Sequence, residues 1–134
     1  MHEFSIACEV WASVARAAHA HHAARVTAVS LEIGALNLLA REQLTFWLDA
    51  LADRDGSPGL QVRIALVPGR VRCARCAAET DVAAPDEADH YLPLLLACPV
   101  CSSPDVEVTG GRELRVVSAE VELAPHDATP PGVA

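Results

Sequence analysis

The chain has 134 residues, 51% of them apolar, but 25 of those are alanine, which leaves valine and leucine to build one modest core. Its formal charge is −8 at pH 7, and such a surface repels phosphate backbones, which argues against non-specific nucleic-acid binding. No apolar run approaches the roughly 18 residues of a membrane span, and His2-Glu3 lacks the basic and apolar regions of a signal peptide, so a cytoplasmic protein with reduced thiols is expected.

From Ser5 to His22 the apolar residues Ala7, Trp11, Val14 and Ala18 recur with helical spacing, Val10 and Ala15 beside them. From Arg25 the period changes to two. Val29, Leu31 and Ile33 alternate with Ala28, Ser30 and Glu32, which predicts a half-buried strand ended by Gly34. A second helix is expected from Ala40 to Ala52, with Leu44, Trp47, Leu48 and Leu51 inward. After the turn Asp55-Gly56-Ser57-Pro58-Gly59, Leu60 to Leu66 alternates as a second strand, closed by Pro68-Gly69.

A thiol-bearing lobe spans about Val71 to Thr109. After Gly110-Gly111 a last strand runs from Glu113 to Leu123, its phase slipping at Val116-Val117 through a bulge or a change of burial partner. The predicted fold is α+β: two helices packed on a three-stranded sheet, with a four-cysteine, zinc-ribbon-like lobe inserted before the last strand. The expected division is 1–69 plus 111–123 for the α+β domain, 70–110 for the lobe, and a proline-bearing tail, 124–134, expected to be disordered. The glycines at the insertion point make some hinge motion between the lobes an expectation.

The lobe carries Cys73-Ala74-Arg75-Cys76 and Cys98-Pro99-Val100-Cys101. Two such pairs supply four soft anionic ligands, the set that Zn²⁺ takes in closed structural sites. A closed set leaves no place for a reacting water, and a lobe this small needs the metal as a staple. A redox reading requires a helix N-terminus beneath the first cysteine, and neither pair precedes a helical pattern. The acidic run Glu79, Asp81, Asp86, Glu87 and Asp89 around Pro85 reads as a solvated loop. Cys8 reads as a small buried hydrophobe.

The opening Met1-His2-Glu3 has metal chemistry of its own. A free α-amine, the amides of His2 and Glu3, and the His2 imidazole offer four nitrogens in a plane, an arrangement suited to Ni(II) and equally to Cu(II). His19, His21 and His22 cluster near the end of the first helix, where imidazoles interact favourably with the helix dipole; ligation is the less favoured reading. His90 is a candidate second contact near the second knuckle, and His126 is read as inert.

Met-His-Glu at the start, then Arg25-Val26-Thr27-Ala28-Val29-Ser30-Leu31-Glu32-Ile33-Gly34, then two C-x-x-C knuckles: together these resemble the HypA family, the nickel-incorporation accessory proteins of [NiFe]-hydrogenase maturation. The likeness runs from Met1 to about Leu123. It implies nickel cargo at His2, with Met1 contributing its backbone amine and Glu3 its backbone amide. It also implies structural zinc on Cys73, Cys76, Cys98 and Cys101, and no enzymatic activity. The partners it implies are a nickel-handling GTPase (HypB-like) and the hydrogenase large subunit, with urease served in some relatives; it leaves room for a weak homodimer. In some relatives a histidine follows a knuckle and lets the zinc site respond to pH. Here Ala77 and Ser102 stand at those places, and that behaviour is not carried over. The segment between the knuckles is also longer than in many bacterial relatives.

Two other functions compete. A zinc-ribbon interaction or nucleic-acid module without nickel transfer predicts a basic, aromatic-bearing ribbon, whereas this lobe has an acidic tip and only Tyr91. A thiol oxidoreductase predicts metal-free, low-pKa cysteines.

Overall fold

The computed structural model of the chain describes residues 2–82 and 97–124. Its elements run α1 His2–Ala20, β1 Ala23–Gly34, α2 Arg41–Arg54, β2 Gln61–Val67, β3 Gly69–Cys73, β4 Glu79–Val82, β5 Val106–Gly110 and β6 Leu114–Leu123. Pro85, Asp86, Glu87, Asp89, His90, Tyr91, His126 and the tail beyond Ala124 lie outside the described residues.

The apolar stripe of α1 is buried as expected, through Ala7, Val10, Trp11, Val14 and Ala18. The helix stops at Ala20, two residues before the expected end. His22 turns left-handed, φ 58°, and its N–H closes on the His19 carbonyl at 3.1 Å. α2 buries Leu44, Leu48, Leu51 and Ala52. Leu44 and Leu48 are 0% exposed, and full burial of each contributes about 1.5–3 kcal/mol. The two helices pack on each other. Trp11 sits in that contact, and its indole N–H donates to Asp55 Oδ2 at 2.7 Å. Arg54 beside Asp55, and then the Trp11 donor, hold that carboxyl below the usual range.

Two three-stranded sheets complete the α+β fold, in the orders β2-β1-β6 and β4-β3-β5. β1 is central in the first. Gly34 N–H reaches Glu113 O at 2.7 Å and Ala124 N–H reaches His22 O at 3.4 Å, so β6 runs opposite to β1. The expected half-burial holds from Val29 on, where Ser30 and Glu32 are less covered than their neighbours, but the buried phase changes along the strand. Val26 and Ala28 are buried on one phase of β1, and Val29, Leu31 and Ile33 on the other. The buried Ser57 hydroxyl accepts the Val26 N–H at 2.9 Å. On β6, Leu114 and Val116 are half-buried and every residue from Val117 onward is exposed, so the slip in phase coincides with a change of burial.

The second sheet is the lobe's own and was not anticipated. β3 pairs antiparallel with β4 (Val71↔Thr80) and with β5 (Cys73↔Val106), with a register shift between Arg70 and Val71. Val71 and Cys73 point inward, while Arg70 and Arg72 point out. Arg70 reaches Asp81 at 2.7 Å.

By internal contacts the chain forms two compact units. One comprises the chain up to Leu31, Leu39–Arg63 and the chain from Val116; the other comprises Glu32–Leu38 and Ile64–Arg115. Within the second, three glycines meet. A Cβ on Gly34 would lie 2.0 Å from the Gly111 carbonyl oxygen, and one on Gly111 (φ +92°) 2.4 Å from Gly69 Cα. Only glycine permits this approach.

Candidate metal centre

Each knuckle is a tight turn that curls back on its first sulfur. The N–H groups of Arg75 and Cys76 donate to Cys73 Sγ at 3.3 and 3.4 Å. Those of Val100 and Cys101 donate to Cys98 Sγ at 3.4 and 3.5 Å. The backbone repeats as well: Ala77 N–H bonds Cys73 O at 3.0 Å and Ser102 N–H bonds Cys98 O at 2.8 Å. The turn demands a left-handed residue just after each second cysteine, and Ala77 (φ 63°) and Ser102 (φ 64°) occupy those places. A residue with a Cβ in that region costs on the order of 1 kcal/mol.

The two turns bring the four sulfurs within 4.8 Å of one another. Cys73 Sγ lies 3.6 Å from Cys101 Sγ, and Cys76 Sγ 3.6 Å from Cys98 Sγ. These separations are too long for a disulfide, whose S–S bond is about 2.05 Å. Zinc–sulfur bonds of about 2.3 Å in a tetrahedron place sulfurs about 3.8 Å apart, so the donor set fits such an ion with small adjustments. The cysteines expected to act together therefore do come together.

Their environments differ within each pair. Cys73 and Cys98 are buried, Cys76 and Cys101 exposed. The Cys76 N–H, with help from Arg75, draws the Cys73 thiol down to about 6. The Cys101 N–H draws Cys98 down in the same way. At Cys101 the Ser103 backbone also draws the thiol down. Lost hydration and the three neighbouring sulfurs outweigh it and push the thiol up to about 12. Two sulfurs whose charged form the amides favour, beside two that resist charge, form a cluster that a divalent cation would relieve. Among the described residues neither knuckle opens a helix, so the feature that activates a redox cysteine is missing there.

The second candidate is the chain end. α1 starts at His2, whose side chain is exposed, and Glu3 follows, half-buried. The first amides of a helix have no carbonyl four residues back, so the N–H groups of His2 and Glu3 take no part in the helical ladder. Met1 lies outside the described residues. The Glu3 carboxylate accepts the Ala40 N–H at 3.0 Å, and this bond, then Glu3's own N–H, holds its carboxyl below the usual range. Nothing in the sequence pattern pointed to this contact.

His19 lies in the last turn of α1 and His21 and His22 in the turn that follows it; all three are exposed. Among the described residues, the four cysteines are the one group of three or more metal-ligating side chains brought together. Cys8 is half-buried on α1 and is a free thiol.

The family model for hydrogenase/urease nickel incorporation metallochaperones, HypA, matches residues 1–121. The chain is similar to the hydrogenase maturation factor HypA of Methanothermobacter thermautotrophicus, with 37% identity over 91% of this chain and 98% of the relative. It is also similar to that of Albidiferax ferrireducens, with 35% identity over 91% and 100%. Among solved structures it resembles the Ni metallochaperone HypA from Helicobacter pylori, with a TM-score of 0.59 and 19% identity over 91% and 98% of the two chains.

Proposed function

This chain belongs to the HypA family of nickel-incorporation metallochaperones that serve hydrogenase maturation, and from that membership we propose that it carries Ni(II) at its leading residues. It delivers the ion to the large subunit of a [NiFe]-hydrogenase, working with a nickel-handling GTPase (HypB-like) in the cytoplasm. A urease is a further recipient to test. The protein is a carrier rather than an enzyme. The observation that supports this most directly is a family match that begins at residue 1 and spans both candidate metal regions.

Nickel is the cargo. Its donors are the His2 imidazole and amide, the Glu3 amide and the Met1 amine, four nitrogens in a plane, the geometry that suits Ni(II). A helix start is a favourable place for them, because deprotonating those amides breaks no helical hydrogen bond. The exposed His2 side chain leaves the ion open to a recipient's ligands, so transfer can proceed by ligand exchange. Copper(II) binds such donors more tightly, so selectivity must come from metal supply and from the recipient.

The cysteine set Cys73, Cys76, Cys98 and Cys101 holds structural Zn²⁺. Four thiolates close the tetrahedron and leave no coordination place for water or substrate, so this centre stabilises the lobe and performs no chemistry. When bound, zinc supplies the cohesion that the lobe's short strands cannot.

Metal quantification on untagged protein after exposure to Ni²⁺ tests both assignments together. The wild type is expected to hold nickel and zinc. His2→Ala, or two residues added ahead of Met1, should abolish stoichiometric nickel binding and leave zinc unchanged. Undiminished nickel in the extended chain would defeat the chelate.

A further inference from the structure

The far end of α1 carries three imidazoles, His19, His21 and His22, that the fold leaves unused. Histidines near a helix end are accounted for when they lie in its last turn or bond its last carbonyls. Only His19 lies within α1. The last carbonyls are already taken by backbone donors. His21 N–H reaches Ala17 O at 3.2 Å and Ala18 O at 3.1 Å, and His22 N–H reaches His19 O at 3.1 Å. The His22 carbonyl in turn accepts the Ala124 N–H at 3.4 Å. Among the described residues no hydrogen bond or ion pair engages any of the three side chains, and all three stand exposed. The dipole reading of this cluster therefore keeps His19 alone and leaves His21 and His22 without a structural task.

We infer that His19 and His22 form a second metal site, a two-imidazole clamp for a borderline divalent cation such as Ni(II). The bond from His22 N–H to His19 O closes a four-residue turn, and such a turn holds its first and last Cα atoms within about 7 Å. Two unengaged imidazoles on that turn can close on one ion. His21 is not part of the clamp, because at roughly 100° per residue it falls about 200° round the axis from His19. The aligned peptide dipoles end here negative, which favours a cation, as does the chain's net charge of −8. Arg25, near the turn, is paired with Glu122 at 3.6 Å. Against the ion stands Arg16, one turn earlier on α1. The site is distinct from the chain end, since α1 rises about 26 Å from His2 to His19 at 1.5 Å per residue. Two side-chain ligands leave the rest of the coordination shell to water, so the ion is held loosely and exchanges readily. The clamp stands whether or not the chain-end chelate does.

The test uses the full-length, zinc-loaded chain carrying His2→Ala, so that neither the proposed chelate nor the cysteine cluster competes. Ni²⁺ is titrated in and followed by paramagnetic broadening of the backbone amide signals, with helicity as the folding control. Signals of residues 19–22 should broaden first, and those of residues 2–5 should stay sharp over the same range. Adding His19→Ala or His22→Ala should weaken this binding about tenfold, and adding both should cost little more than either alone, because each breaks the same clamp. His21→Ala, which removes one imidazole from the same turn, should stay near its parent. No broadening at residues 19–22, a loss in His21→Ala equal to that in the other two, or fully additive losses would overturn the clamp.

Discussion

The knuckle cluster and the chain end hold their donors by opposite means. At the cluster, two turns of the same construction fix four side chains, and backbone N–H groups point at the sulfurs of Cys73 and Cys98. At the proposed chain-end site the donors would be mostly backbone nitrogens, carried by a helix turn whose Glu3 side chain accepts the Ala40 N–H. A closed set built from side chains suits an ion that stays. An open set built at a terminus suits an ion that leaves. On the proposed assignment, retention and release would differ in enclosure, not in ligand number.

The contrast breaks most completely with Cys98→Ala. Zinc content should fall from one per chain to none, since about 10–16 kcal/mol of apparent binding free energy depends on the complete set. Helical circular dichroism should persist, because α1 and α2 make their own core. A purified variant that kept its zinc would refute the ligand assignment. Acid should separate the two regions next. Metal-bound thiolates and amides both gain protons as pH falls, but the Cys73 thiol is already held at about 6, whereas an amide gives up its proton only to the metal. A stepwise acid titration with a metal-sensing dye should therefore release nickel at a higher pH than zinc; the reverse order would contradict the proposed donors.

Smaller changes sharpen the contrast. Trp11→Phe deletes the indole donor to Asp55 and should lower the midpoint of unfolding in denaturant. The nickel spectrum should not move, which would separate helix pairing from the tie at the chain end. The smallest effect is a gain. Ala77→Gly and Ser102→Gly relieve left-handed strain, and each should raise the stability of the zinc-bound lobe by about 1 kcal/mol without changing either metal's stoichiometry.

Much of this was legible in the chain itself. The 3.6-residue spacing of Ala7, Trp11, Val14 and Ala18 located α1 and its buried face, and the cysteine spacing identified the cluster that the turns assemble. The lobe's sheet was not, because β3, β4 and β5 run only four or five residues, too short for alternation to stand out from a loop. The change of buried phase along β1, from Val26 and Ala28 to Val29, Leu31 and Ile33, escaped notice for a different reason, since two adjacent apolar residues fit either phase. Ala77 and Ser102 concealed their turns because the glycine that usually marks a left-handed residue is absent. The Glu3–Ala40 contact joins positions 37 apart in sequence, beyond the reach of any local pattern.

The strand order β2-β1-β6 also governs how the chain is made. β1 is finished at Gly34, yet its partner on one side begins only at Leu114, after the whole cysteine-bearing segment has been synthesised. A nascent chain on the ribosome therefore carries Val29, Leu31 and Ile33 on a strand with one flank bare until β6 has been made. Closing that flank draws together ends far apart in the chain, and a lobe already gathered around its ion shortens the distance to be searched. A chain whose lobe failed to gather would keep that strand edge open for longer, a form prone to pairing with its neighbours.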